Sequence, residues 1–266
     1  MRIATWNINS LRARMDRVIG FLDRHEVDVL ALQEIKAKPQ QLDLAPFAAA
    51  GYEVAVHGLN QWNGVGLISR VGLTDVRREL PGVPTWPEDD SGVIEARALS
   101  GVVGDGLRVW SLYVPNGREL EHPHYPYKLR WLEALRAEGA RELAEDPSAR
   151  VALVGDFNVA PQDEDVWSME FFEGKTHVSE PERAAFRAVV EAGYADVVRP
   201  EHPGPGVYTY WDYQALRFPK REGMRIDFVL GSPTVQQAVR GTFIDREERK
   251  GKGASDHAPV VVDLEL

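Results

Sequence analysis

Residues 151–161, which read VALVGDFNVAP, pass directly from apolar to polar side chains. The four apolar residues at 151–154 predict a strand that is buried on both faces. Asp156 and Asn158 follow at once, so a short, stiff element carries a carboxylate and a carboxamide out of the core. We interpret this stretch as a strand that holds Asp156 in a fixed position, because catalysis is sensitive to displacements of about 1 Å.

The composition is typical of a soluble globular protein, and the length permits one large α/β domain over residues 1–266. The chain has 266 residues, a formal net charge of -10 and no cysteine. Disulfides, thiolate nucleophiles and cysteine-ligated zinc are therefore excluded. Net charge alone argues against a polyanionic partner, but local fields decide where a ligand binds. No stretch has the pattern of a signal peptide or a membrane span, so we expect a cytoplasmic protein.

Apolar patterns along the chain predict more strands than helices. Some neighbouring strands are joined by short turns, such as 104–106, and others require crossovers. This mixture favours packed sheets with helices outside over one doubly wound parallel sheet. Helices are predicted after Ser10 as N-cap, between Pro126 and Asp146, and at 182–192. The predicted strands are 2–8, 27–32, 65–69, 93–99, 107–114, 151–154, 207–213, 225–230 and 260–264.

Polar residues end many of these strands, and ligand sites commonly form where strand ends deliver side chains into one crevice. Each such residue alone is more often a turn residue. These residues fall at five strand ends, and a coincidence of five ordinary turns is the less favoured interpretation. Hard oxygen donors in a chain without cysteine suit Mg²⁺ or Mn²⁺ better than zinc. The residues are Asn7, Asn9, Glu34, Asp156, Asn158, Asp227, Asp256 and His257.

An ordered set of motifs resembles the exonuclease III family of abasic-site endonucleases, within the wider endonuclease/exonuclease/phosphatase superfamily. The set extends from Asn7 to Pro259, and its order is more specific than any one motif. The resemblance implies a deoxyribonuclease-I-like four-layer α/β sandwich, with two mixed β-sheets face to face and helices outside. The motifs are Trp6-Asn7-Ile8-Asn9, Leu32-Gln33-Glu34, Tyr113-Val-Pro-Asn116-Gly, Gly155-Asp156-Phe-Asn158, Arg225-Ile-Asp227 and Ser255-Asp256-His257-Ala-Pro.

The resemblance also implies roles in phosphodiester hydrolysis. Glu34 is the expected ligand of one or two Mg²⁺ or Mn²⁺ ions, with contributions from Asn7, Asn9 and Asp256, directly or through water.

Asp156 is expected to orient and deprotonate the attacking water, held in place by Asn158. His257 is expected to contact the scissile phosphate while Asp227 holds its imidazole, and Tyr113 to donate a hydrogen bond to the phosphate.

His122 and His124 lie in a proline-flanked loop, and their spacing resembles no known ligand set. The other histidines are interpreted as ordinary surface or capping residues, namely His25, His57, His177 and His202.

Residues outside the catalytic motifs favour DNA as the substrate. Arg12, Lys36, Asn116 and Arg118 lie beside the acidic motifs, as a phosphate-contacting rim requires. Basic residues at 220–225 and 249–252 lie on the loops before Asp227 and Asp256, with solvated loop charges as the alternative. Trp62, in the loop 60–64, is either a groove contact or a packed loop residue.

The aromatic segment 208–213 resembles part of the family's pocket for a flipped-out abasic sugar. Its walls by position are Tyr210, Trp211, Met224 and Ile226. An apolar pocket too small for a base selects a sugar that lacks one. The alternative for so aromatic a segment is plain core.

These features predict a monomeric DNA-repair nuclease that cuts 5′ to abasic sites in double-stranded DNA and is nucleoid-associated when on DNA. We also expect 3′-phosphatase or 3′-phosphodiesterase activity and 3′-to-5′ exonuclease activity on duplex ends. One rival hypothesis is a phosphatase of phospholipid or inositol head groups on the same scaffold. The other is a DNA-binding protein without catalysis, which the acidic residues oppose because they repel a phosphate backbone unless a cation bridges them.

Overall fold

The computed structural model describes residues 1–87 and 91–266 as two six-stranded mixed β-sheets with helices on their outer faces. The first sheet has the order β11-β12-β1-β2-β4-β3 and the second β5-β6-β7-β8-β10-β9. The first contains β1 (Arg2–Asn7), β2 (Val29–Gln33), β3 (Glu53–His57), β4 (Val65–Ser69), β11 (Val239–Ile244) and β12 (Val260–Leu264). The second contains β5 (Thr74–Arg77), β6 (Ala98–Val103), β7 (Leu107–Tyr113), β8 (Val151–Asp156), β9 (Ala195–Asp196) and β10 (Asp227–Gly231).

Each sheet is built around one parallel pair of strands, β1–β2 in the first and β7–β8 in the second. A helix makes each crossover, as parallel neighbours require. The other pairings are antiparallel. The helices are α1 (Leu11–Arg24), α2 (Ala45–Ala49), α3 (His124–Glu145), α4 (Met169–Phe172), α5 (Glu180–Glu191), α6 (Arg217–Lys220) and α7 (Pro233–Ala238). Among the described residues, no helix has both the length and the apolar composition that crossing a bilayer requires.

Side-chain alternation along the strands separates three layers of core. In β8, Ala152 and Val154 face the first sheet, whereas Val151 and Leu153 pack towards the helices on the other side. In β2, residues 29 and 31 face the second sheet, and residues 30 and 32 pack towards α1. Both central strands are thus apolar on both faces, which explains their unbroken apolar runs.

The same alternation points the polar strand ends into the gap between the sheets. Asp156 follows Ala152 and Val154 on one face of β8, and Asp227 is its direct partner at the start of β10. Tyr113 pairs with Asp156 from the other side, in β7. Below them, Gln33 donates to the Ser111 hydroxyl at 3.1 Å, which joins the two sheets. The gap between the sheets is therefore apolar along most of its length and polar at one end.

The predicted fold class is confirmed, and most predicted strands are present with shifts of a few residues at their ends. The prediction of one domain over residues 1–266 stays a prediction. Two predicted strands are wrong: the strand at 93–99 in part and the strand at 207–213 entirely. The strand predicted at 93–99 begins at Ala98, while Val93 makes only an isolated bridge to Trp86.

The segment 207–213 is not a strand of either sheet, because its backbone pairs with the loops that precede β10 and β12. Tyr210 makes isolated bridges to Met224 and His257, and Trp211 N–H donates to the Asp256 carbonyl. Ser10 was expected to cap α1 through its side chain. It makes no such bond, and its N–H instead donates to the Glu34 carbonyl at 2.7 Å.

Gly155 is required where the buried strand meets the polar site. Its φ is +145°, and a Cβ at this position would lie 1.9 Å from the Leu112 carbonyl oxygen. That carbonyl belongs to β7, the strand hydrogen-bonded to β8. Any side chain here would therefore push apart the strands that carry Tyr113 and Asp156.

We predict that Gly155→Ala lowers the free energy of unfolding by about 3 kcal/mol, through backbone strain and overpacking. Gly241→Ala is the matched control, because a Cβ there meets nothing within 4 Å. Urea unfolding followed by circular dichroism measures both. A Gly155→Ala protein as stable as the Gly241→Ala protein contradicts the account.

Candidate active site

Five buried or half-buried polar side chains meet at the polar end of the gap between the sheets. Asn7 Nδ2 donates to Glu34 Oε1 at 2.8 Å and to Asp156 Oδ2 at 3.0 Å. His257 Nδ1 lies 2.8 Å from Asp227 Oδ2, and its Nε2 lies 3.8 Å from Asp156 Oδ2. The structure thus brings together residues that are far apart in the sequence and that the strand-end pattern had singled out.

Burial, together with the neighbouring carboxylates, raises the pKa of Asp156 to about 7. Burial is the largest cause, and the charges of Asp227 and Glu34 add to it, while His257 acts in the opposite direction. Both oxygens are nevertheless held, because Asn158 N–H donates to Oδ1 at 2.9 Å. Asp156 is therefore a fixed carboxylate with the proton affinity that suits a general base near neutral pH.

His257 is a cation held by carboxylates. Burial lowers its pKa, but Asp227, by charge and hydrogen bond, and then Asp156 and Asp256 outweigh burial and raise it to about 10. The imidazole is almost fully buried, at 3% exposure. With Nδ1 directed at Asp227, the proton on Nε2 points towards the space between Asp156 and Glu34.

The donor set fits a hard divalent cation. Ligand atoms of Glu34, Asp156 and His257 all lie within 4.8 Å of one another. Asp227 Oδ1 is buried and has no hydrogen-bond partner among the described residues. A histidine protonated on both nitrogens has no lone pair for a metal, so carboxylate and amide oxygens are the available donors. A bound divalent cation would offset the negative charge of this buried site.

Asn9 and Asp256 form a second group at the edge of the first. Asn9 Nδ2 donates to Asp256 Oδ1 at 3.1 Å, and Lys36 Nζ donates to Asn9 Oδ1 at 2.6 Å. Lys36 also forms an ion pair with Glu34 at 2.7 Å. Burial raises the pKa of Glu34, but Lys36 and Asn7 outweigh it, so the pKa lies below its ordinary value. Lys36 therefore links the two groups, and Asp256 lies outside the three-residue cluster around Glu34.

Asn158 holds Asp156 through its backbone N–H, while its side chain bonds elsewhere. Its Nδ2 donates to the Val114 carbonyl at 2.9 Å, and its Oδ1 lies 3.2 Å from Asn116 Nδ2 and 3.1 Å from His177 Nε2. The carboxamide therefore fixes the loop that carries Asn116.

His177 was interpreted as a surface or capping residue, and this is wrong. It is 8% exposed, and burial followed by the charge of Lys128 lowers its pKa to about 3. A neutral His177 beside Asn158 is therefore part of the site. No pattern in the sequence marks it.

Tyr113 ends β7 next to the cluster and is 9% exposed. Burial, followed by the charge of Glu34, raises its pKa well above the ordinary value, so its hydroxyl keeps its proton. The Arg97 guanidinium lies 4.8 Å from the ring centroid and fixes its orientation. Tyr113 is therefore a rigid hydrogen-bond donor at the edge of the site.

Backbone strain concentrates around these residues. Six site residues other than glycine have φ between +47° and +80°, each at a cost of about 1–3 kcal/mol that the surrounding structure must offset. Such strain is typical of functional sites, where side chains are aimed at the expense of stability. The residues are Asn9, Glu34, Lys36, Arg118, Asn158 and His177.

A cavity of about 530 Å³ opens beside the cluster. Tyr210 and Met224 line it as expected, and the Tyr210 ring lies 4.9 Å from the His257 ring. Trp211 and Ile226, the other predicted walls, do not line it and are 1% and 2% exposed. The cavity is lined instead by aromatic residues of α4 and of the loop before it, which the sequence patterns did not indicate. These are Trp167, Phe171 and Phe172.

The basic residues separate into exposed and buried groups. Arg12 and Arg118 are exposed, and Trp62, at 69% exposure, is not packed. Arg225 is buried in ion pairs with Asp165 and Asp196, and Arg249 is also buried, so neither belongs to an exposed rim.

Comparison with known proteins agrees with this geometry. A model of the endonuclease/exonuclease/phosphatase family matches residues 4–257. The chain belongs to this family. Exodeoxyribonuclease III of Haemophilus influenzae is 28% identical, over 98% of each chain.

Among solved structures of family members, the 3′ phosphatase NExo from Neisseria, bound to a product DNA hairpin, is 33% identical with a TM-score of 0.92. An AP endonuclease from Archaeoglobus fulgidus is 31% identical with a TM-score of 0.91. Both comparisons cover 100% of each chain.

The loop that carries Asn116 and Arg118 depends on a neutral histidine. His124 Nδ1 accepts a hydrogen bond from Gly117 N–H at 3.1 Å, so this nitrogen carries no proton. Burial, followed by the charges of Arg97 and Arg118, lowers the pKa of His124 to about 3. The unfolded chain binds this proton near pH 6.5, so the stability from His124 is complete above about pH 6.5 and is lost as pH falls towards 3.

We predict that His124 alone lowers the free energy of unfolding of the wild type by about 2 kcal/mol when the pH falls from 7 to 5. His124→Gln should lose less stability over the same interval, because glutamine does not titrate. Urea unfolding at both pH values gives the comparison. Equal losses in the two proteins would contradict a neutral, buried His124.

Proposed function

We propose that the chain is a Mg²⁺- or Mn²⁺-dependent DNA-repair nuclease that hydrolyses phosphodiesters 5′ to abasic sites and removes blocking groups and nucleotides from 3′ ends. It would act as a monomer in the cytoplasm on double-stranded DNA. The names of the similar proteins support a DNA substrate, and they span both kinds of activity: AP endonuclease, and 3′ phosphatase or exonuclease.

One observation carries the proposal. Asp156, a carboxylate with a pKa of about 7, lies 3.8 Å from the cationic His257, and the His257 ring lies 4.9 Å from the ring of Tyr210 in the cavity wall. A base and a cation would thus act together on one phosphate group. A DNA-binding protein without catalysis has no use for a buried carboxylate that opposes the charge of its ligand.

Asp156 would accept a proton from the water that attacks phosphorus. Asn7 and the Asn158 N–H hold its two oxygens, so the carboxylate is oriented before substrate binds. General-base catalysis of this kind contributes roughly 100- to 10,000-fold in rate.

His257 would donate from Nε2 to a non-bridging phosphate oxygen, and Tyr113 would donate from its hydroxyl. Charge builds on these oxygens in the transition state, where preorganised donors act most strongly. Asp227 keeps the imidazole charged and fixes its ring. Asn116 and the exposed Arg12 and Arg118 would contact the flanking DNA.

Glu34 would hold the metal ion, with Asn7 beside it and with Asn9 and Asp256 acting through water. When bound, the ion supplies positive charge to the phosphate oxygens and to the departing 3′ oxygen. Lys36, which pairs with Glu34 at 2.7 Å, would contact a phosphate at the edge of the site.

We predict that Asp156→Asn lowers cleavage of a labelled duplex with one abasic-site analogue by at least about 100-fold. Asp105→Asn, in the exposed turn between β6 and β7, is the matched control and should cleave like the wild type. EDTA should abolish cleavage by the wild type and by Asp105→Asn. Gel electrophoresis locates the cut and separates it from trimming at 3′ ends.

Each outcome discriminates between hypotheses. A metal-dependent cut 5′ to the lesion supports the full proposal. Trimming of 3′ ends without a cut at the lesion retains the nuclease and removes abasic incision. If neither the damaged nor the undamaged duplex is cleaved, the assignment of DNA as the substrate is wrong, and phosphoinositides become the substrates to assay.

A further inference from the structure

The cavity beside the active site extends well beyond the space that a sugar needs. Its volume of about 530 Å³ lies within the range of roughly 300–1,000 Å³ that encloses drug-sized ligands. One end is lined by Tyr210 and His177, which contact His257 and Asn158 respectively. The other end is formed by the loop around α4.

That far end is aromatic. The Trp167 and Phe171 rings lie 4.9 Å apart, centroid to centroid, and Phe171 is 38% exposed. The Arg217 guanidinium lies 4.8 Å from the Trp167 centroid and 4.6 Å from the Phe171 centroid. Lys175 Nζ lies 3.4 Å from the centroid of Phe171. These contacts hold two partly exposed rings in place at the cavity.

The charged residues around the cavity balance one another. Three cationic and three acidic side chains line it, and Arg217 is paired with Glu222. A second phosphate would meet as many acids as cations, whereas a neutral ring system with polar edges meets both kinds of partner. The charged residues are Arg118, Lys175, Arg217, Glu119, Asp212 and Glu222.

We propose that this cavity binds the nucleobase of the 3′-terminal nucleotide that the enzyme removes, with Trp167 and Phe171 as the stacking surface. The inference rests on the proposed nuclease function and specifies its substrate: an unpaired terminal nucleotide that still carries its base. It replaces the expectation of a pocket too small for a base.

The geometry agrees with the chemistry of end trimming. Water adds to the phosphorus of the terminal nucleotide, and the bond from phosphorus to the 3′ oxygen of the preceding nucleotide breaks. That oxygen leaves with a proton, and a nucleoside 5′-monophosphate is released. Its phosphate lies at His257 and Asp156, its sugar passes Tyr210, and its base reaches the rings beyond.

The test compares two duplexes that differ only at one 3′ end. The first ends in an unpaired nucleotide, and the second ends in a 3′-phosphate, which carries no base into the cavity. For Trp167→Ala, we expect the ratio of kcat/KM on the first to that on the second to fall roughly fivefold to 100-fold, as loss of base stacking predicts. Trp167→Phe should recover most of the ratio, and Phe171→Ala, which alters a more exposed ring, should lower it too.

Phe243→Ala is the matched control, because it removes a partly exposed ring from β11, outside the cavity. Its ratio should equal that of the wild type. A direct readout uses 2-aminopurine as the unpaired 3′ base on the Asp156→Asn background. Its fluorescence should be quenched on binding, and less so when Trp167 is also replaced.

An unchanged ratio in both Trp167→Ala and Phe171→Ala overturns the inference. If kcat/KM falls equally on the two duplexes, the ratio is unchanged and the rings have only a structural role. Wild-type protein that cleaves neither duplex defeats the proposed function itself and is thereby distinguished from failure of the base site.

Discussion

The active site depends on side-chain alternation in the central strands that face each other across the gap between the sheets. Every second residue of β1, β2, β7, β8 and β10 points into this gap. Along most of each strand these residues are apolar and hold the sheets together. At one end they are Asn7, Tyr113, Asp156 and Asp227. One packing interface therefore supplies both the core and the rigid support of the site, and a shift of register by one residue would destroy both.

This arrangement places several carboxylates where water is scarce, which opposes folding. The raised pKa of Asp156 and the unpartnered oxygen of Asp227 are two signs of that cost, and the strained backbone at Glu34 and Asn158 is a third. The cation His257 offsets part of the crowding. The remaining negative charge makes the site receptive to a divalent cation and, once the cation is bound, to phosphate. Stability is thus exchanged for a preformed binding site.

The sequence predicted those parts of the site that buried strands carry. Alternation and apolar runs are local properties, so the strand ends at Asn7, Glu34 and Asp156 could be located without a structure. Asp227 and His257 belong to the same strand-end pattern, but only the resemblance implied that they pair, and the structure places Asp227 Oδ2 2.8 Å from His257 Nδ1. The prediction for the segment 207–213 was wrong because its aromatic pattern resembles that of a strand, whereas its backbone bonds only to the loops before β10 and β12.

His177 and Trp167 lie in loops, and Phe171 lies in α4, which at four residues is too short to show a periodicity. Their positions depend on tertiary contacts, such as that between His177 and Asn158, which no local pattern encodes.

The central claim is that Glu34, aimed by β2 into the gap, holds a divalent cation. Titration of Mn²⁺ into metal-free protein, followed by electron paramagnetic resonance, tests it most directly, because bound and free Mn²⁺ give different signals. Glu34→Gln should weaken binding by at least about tenfold, whereas Glu53→Gln, at an exposed position in β3, should bind like the wild type. Equal affinity in the Glu34→Gln and wild-type proteins would contradict the account.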